Sequence, residues 1–136
     1  MKNLSFIIYH LSFIARIMLK ITKRIKEHTK NFLGRKKRVN AKIKSSYPDF
    51  RIIVDKSNKY MKAQVIDATG KVLCHISDKG IKGTTKTDTA QKAGEALAVL
   101  MKKQGIAKAA FDRNGNIYHG RVKALADWIR TWGIAI

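Results

Sequence analysis

Between residues 50 and 76 the apolar residues come in short β-branched or alternating runs, a rhythm that predicts strands. Phe50-Arg51-Ile52-Ile53-Val54-Asp55 is the first, and Ser57-Asn58-Lys59 is the turn after it. Residues 60–66 alternate as a second strand, Ala68-Thr69-Gly70-Lys71 turns the chain again, and residues 72–76 form a third strand. Both connections are of hairpin length, so the three strands make an antiparallel meander. A polar, glycine-bearing loop covers residues 77–87. The period then becomes helical. Ala93, Leu97, Leu100 and Met101 share one face of a helix that opens on a capping box, Asp88 with Gln91, and stops at Gly105. Residues 107–111 read as a fourth strand, which a right-handed helical crossover makes parallel to its neighbour. Val122, Leu125, Ala126 and Ile129 define a last helix, residues 119–132, with Gly133 as its stop. Trp128 and Trp132 share a face of it beside the core stripe and are expected to pack into the core. The fold class is α/β: one mixed sheet in a sandwich of order βββαβα, within residues 47–136.

The chain before residue 47 has neither rhythm. Residues 1–17 carry Phe6-Ile7-Ile8-Tyr9 and Phe13-Ile14-Ala15, broken by His10, Ser12 and Arg16. That run falls short of the roughly 20 apolar residues a bilayer span needs, and it lacks a secretory cleavage site. Two readings stand. Translation begins at Met18 and the leader is an artefact of where the gene was taken to start, or the leader targets an organelle, since Lys2, Arg16, Lys20, Lys23 and Arg24 all precede the first acid, Glu27. Residues 18–46 form a basic arm. Ile21, Ile25 and Phe32 give it only a thin apolar stripe, and Gly34 interrupts it before Arg35-Lys36-Lys37-Arg38 and Lys42-Ile43-Lys44. So little apolar surface predicts an arm disordered alone and helical along a phosphate backbone. Pro48, the only proline, is expected to open the globular part.

Charge sharpens this division. Lysines and arginines number 29 against 9 acids, for a net charge of +20. Half of that excess lies in residues 20–44, where eleven basic residues face Glu27 alone. Such an imbalance calls for a polyanion, nucleic acid or an acidic membrane surface. Cys74 is the only cysteine, so no intramolecular disulfide is possible, and with four scattered histidines it matches no zinc spacing. No metal, cofactor or small-molecule substrate is expected.

The most informative stretch is Phe111-Asp112-Arg113-Asn114-Gly115-Asn116-Ile117-Tyr118-His119-Gly120-Arg121-Val122-Lys123-Ala124-Leu125-Ala126-Asp127. Asn114-Gly115 suits a tight turn at positive φ. Arg113, Tyr118, His119 and Arg121 then crowd the start of the last helix, where unsatisfied N–H groups, guanidinium forks and a ring suit phosphate or ribose. These residues resemble the C-terminal signature of the bacterial-type large-subunit ribosomal protein eighteen family, which binds 5S ribosomal RNA. The likeness spans residues 35–136. Arg51, Ser57-Asn58-Lys59 and Ala63-Gln64-Val65-Ile66-Asp67 are similar to the family's early pattern, Arg35-Lys36-Lys37-Arg38-Val39 with Lys42-Ile43 to its basic run, and Ala93-Gly94 to the small residues of its central helix. The resemblance implies a mixed α/β sandwich without catalytic activity that clamps 5S ribosomal RNA and helps attach it at the central protuberance. The implied partners are 5S and 23S ribosomal RNA and neighbouring large-subunit proteins, with no membrane, on a cytoplasmic or an organellar ribosome. The expected RNA contacts are Arg35, Lys36, Lys37, Arg38, Lys42, Lys44, Arg51, Ser57, Asn58, Lys59, Arg113, Tyr118, His119 and Arg121. Two features depart from the family pattern: the shorter loop 77–87, and Asp55-Lys56 in place of an aromatic or histidine followed by arginine.

Two other classes fit parts of the pattern. A magnesium-dependent nuclease would need Asp55, Asp67, Glu95 and Asp112 to converge on paired ions roughly 4 Å apart. A membrane-surface protein would use residues 1–17 with the basic arm as an amphipathic anchor.

Overall fold

The computed structural model describes residues 3–46 and 49–136. Its elements are α1 (Asn3–Ser45), β1 (Phe50–Lys56), β2 (Met61–Asp67), β3 (Val72–Ser77), α2 (Lys86–Lys103), β4 (Ala110–Asp112) and α3 (Arg121–Thr131), the expected βββαβα order behind a helix. Pro48 lies outside the described residues. The chain divides into two compact units, Met1–Gly34 and Arg35–Ile136, so the last turns of α1 belong with the sheet.

In the first unit the described residues are all helical. No proline interrupts α1, and its Lys, Arg, Leu and Ile residues carry little helix penalty, while Gly34 costs about 1 kcal/mol without breaking the ladder. The arm expected to be disordered alone is therefore helical. Leu11, Met18, Leu19 and Ile25 are exposed along this stretch.

In the second unit the sheet order is β3-β2-β1-β4, with β1 antiparallel to β2 and parallel to β4. Alternation along the strands sends Ile52, Val54, Met61, Ala63 and Val65 to one face. Leu97 and Met101 of α2 and Val122, Leu125 and Ile129 of α3 cover that face and are themselves fully buried. Burying each large side chain contributes about 1.5–3 kcal/mol. Gly94 sets how closely the two helices cross. A Cβ there would meet the Leu125 carbonyl oxygen at 2.8 Å and the Trp128 Cβ at 3.2 Å.

Four local expectations shift. α2 is capped by Thr85, whose hydroxyl accepts from the Asp88 N–H, so Asp88 sits inside the first turn and is not the cap. β4 is shorter and later than residues 107–111, because the tail claims the start of that segment: the Ala109 N–H donates to the Ala135 carbonyl and the Ala135 N–H to Ala107, each at 2.9 Å. α3 begins at Arg121, behind an N-cap at Gly120 that lacks a side-chain hydrogen bond. Trp128 and Trp132 are half-buried, and Trp132 packs on the core with the Lys102 ammonium 5.5 Å from its ring centre.

Candidate nucleic-acid interface

The turn after β4 is built as its residues predict. Asn114 and Gly115 both take positive φ, 49° and 76°, and the Asn116 N–H closes the turn on the Arg113 carbonyl at 2.9 Å. Asp112 braces it from below. This carboxylate is 2% exposed, accepts the Asn114 N–H at 2.8 Å, and takes both Nε and Nη2 of Arg51 at 3.1 and 2.5 Å. The same Arg51 Nη2 donates to the side-chain oxygen of Asn40, on the α1 stretch of this unit. Arg35 on that stretch donates to the Gly115 carbonyl at 3.0 Å. The arm's last turns, the first strand and the β4 turn are thus joined through one buried charge.

The four residues at the mouth of the last helix do not gather at one point. Arg121 turns toward the β1–β2 connection and donates to the Ser57 carbonyl at 2.9 Å, while its Nη1 is enclosed with no acceptor among the described residues. Lys86 reaches the Asn58 carbonyl at 2.9 Å, so this turn draws two cations onto its own backbone, with Lys59 exposed beside it. Arg113 bonds the Asn116 carbonyl at 3.0 Å. Tyr118 is 37% exposed, meets the Phe111 ring edge-on with centres 6.1 Å apart, and accepts from Arg130 Nη1 at 2.7 Å. That hydroxyl is the main reason the Arg130 guanidinium holds its proton even more firmly than usual. His119 is exposed.

Along the arm, Lys37, Arg38, Lys42 and Lys44 are exposed and Arg35 and Lys36 half-buried. None of these is ion-paired among the described residues, and neither is Arg113. The expected contacts therefore fall into two kinds. Arg35, Arg51, Arg113 and Arg121 spend donors on the protein, whereas Lys37, Arg38, Lys42, Lys44 and Lys59 keep their charge toward solvent. Arg130, Asn40 and Lys86 went unnoticed in the sequence. Only Arg130 left a trace there, as a cation nine residues after Arg121 on the same helix.

The carboxylates do not form a metal centre. In the β1–β2 register Phe50 faces Asp67 and Asp55 faces Lys62, which puts the two acids at opposite ends of the ladder. Asp112 is committed to Arg51, and Asp67 Oδ1 closes its own turn on Thr69 and Lys71. The Thr69 hydroxyl leads in holding the Asp67 carboxyl below its ordinary value. No three metal-binding side chains cluster among the described residues. Burial pushes the Cys74 thiol up, away from reactivity. No helix among the described residues is long and apolar enough to cross a membrane.

Comparison with known proteins reaches the same residues. Positions 24–136 match the family described as ribosomal L18 of archaea, bacteria, mitochondria and chloroplast. The chain is 41% identical over 103 residues to large ribosomal subunit protein uL18 of Brachyspira hyodysenteriae, covering 74% of this chain and 87% of that one. The protein of the same name from Lactobacillus delbrueckii subsp. bulgaricus is 44% identical over 106 residues, 75% of this chain and 89% of its own. That of Bacillus mycoides is 40% identical over 119 residues, 84% and 98%.

Proposed function

Since this chain belongs to the ribosomal L18 family, a structural and non-enzymatic family of the large ribosomal subunit, we propose that the RNA it holds is 5S ribosomal RNA and that it helps attach that RNA at the central protuberance. Ribosomal RNA and other ribosomal proteins are the partners the family implies. The observation that carries the reading is the extent of the match: it takes in the cationic stretch 35–44 and the block 111–127 together.

The chemistry divides the work. Phosphate neutralisation by the solvent-facing arm supplies most of the affinity. Six or more neutralised phosphates make binding fall by about 10³-fold or more between 50 and 200 mM salt. Charge alone does not choose one RNA over another. Choice comes from two fixed patches, Arg121 against the β1–β2 turn and Tyr118 beside Phe111 and Arg130, with Arg113 and His119 nearby in sequence, offered to a folded RNA shape. The uncapped N-terminus of α3 adds backbone donors and a positive dipole end there.

A footprint of the purified protein on total ribosomal RNA tests the proposal. Protection confined to the 5S species is expected. Indiscriminate coverage of all species would reduce the protein to a generic polycation.

A further inference from the structure

Beside β4, the α1 stretch of the sheet unit leaves an open groove of about 470 Å³. Val39, Ile43, Phe111 and Ile136 give it apolar walls, and Tyr118 stands at its side. Lys42, Arg113 and Arg130 also line it, with no Asp or Glu among the lining residues; Arg130 is ion-paired with Asp127 at 3.2 Å, while Lys42 and Arg113 have no ion pair among the described residues. We propose that this groove takes one unstacked RNA nucleotide, its base against Phe111 and Tyr118 and its phosphate on the surrounding cations. The inference rests on the RNA-binding reading above and goes further, naming a pocket and a mode of contact.

Three observations favour this occupant. The volume falls in the roughly 300–1,000 Å³ range of pockets that hold one small ligand. Aliphatic side chains with aromatic rings suit any base face, and bases splayed from loops and bulges are the parts of RNA that proteins read. Lys42 and Arg113, two lining cations without an ion pair among the described residues, favour a phosphodiester over a protein segment, since a guanidinium fork matches phosphate oxygens. A docked strand is the poorer fit. β4 offers only three residues of edge, and the residues before it are already bonded to the tail.

Photocrosslinking of the full chain to 4-thiouridine-substituted total ribosomal RNA, with the crosslinked peptides mapped by mass spectrometry, tests the groove. The expected result is a crosslink from Phe111 or Tyr118 to one RNA position. Tyr118→Leu should weaken binding by about 5- to 150-fold, the worth of one base–aromatic stack, and Tyr118→Phe should recover most of that loss. Ile43→Trp, which fills the groove while leaving Phe111 and Tyr118 unsubstituted, should abolish the crosslink while thermal unfolding shows the variant folded. If the footprint on 5S RNA stands but no crosslink forms at either ring and Tyr118→Leu binds as well as wild type, the groove proposal is overturned and the RNA reading survives. Crosslinks from the groove to ribosomal proteins alone would also overturn it. Absence of any selective RNA protection would end both.

Discussion

Helix α1 has two stretches with one conformation and unlike surroundings. In the stretch up to Gly34, Thr22 and Thr29 return their hydroxyls to carbonyls four residues back, and large apolar side chains are exposed. From Arg35 on it is stitched to the sheet through Arg35, Asn40 and the carboxylate of Asp112 behind Arg51. The family match begins at residue 24, so it takes in all of the second stretch and, of the first, only residues 24–34. Helicity is inexpensive for a Lys-, Arg- and Leu-rich run and says little about role. What marks the second stretch is that its side chains find partners on the first strand and the β4 turn.

That contrast can be broken at Asp112. Asp112→Ala strands Arg51 as a partly buried cation and should cost about 3–5 kcal/mol, read by urea denaturation. Adding Arg51→Met should return much of the loss, because the pair is then gone from both sides. A smaller effect, about 1–2 kcal/mol, is expected for Asn40→Ala, which removes one acceptor from a charged donor. Its signature is local: hydrogen exchange should quicken for amides 40–45 and stay unchanged in residues 10–30. Equal quickening in both stretches would erase the distinction. The smallest effect belongs to deletion of residues 1–17, which should shift the stability of the sheet unit by under about 0.5 kcal/mol. With only Lys2 and Arg16 lost, the salt slope of RNA binding should change by at most about 2.

Strand and helix positions were legible because their signals are local. Alternation at 50–76, the helical stripe of Leu97 and Met101, and the Asn114-Gly115 turn each lie within a few residues, and the parallel β4 followed from handedness. What escaped the sequence is what joins distant residues. Arg51 and Asp112 are 61 positions apart, and no local pattern says that one neutralises the other. The tail's claim on residues 107–109 shortened β4 for the same reason. At the site, the turn and the polar crowd were readable, but α3 carries Arg121 in its first turn and Arg130 in its last, so its neighbours went to two separate patches. Thr85 displaced Asp88 as cap because both residues can cap, and three-dimensional fit at the loop decides between them.

The hydrogen atom that stands for a side chain at Gly94 governs more than its own crossing. Because α3 is a stiff rod fixed there against α2, any bulk at this position tilts it and swings both ends at once, displacing Arg121 from the first hairpin and Arg130 from Tyr118. One methyl group, placed far from either cation, would thereby detune two contact surfaces together, and drift in sequence has almost no freedom at that spot.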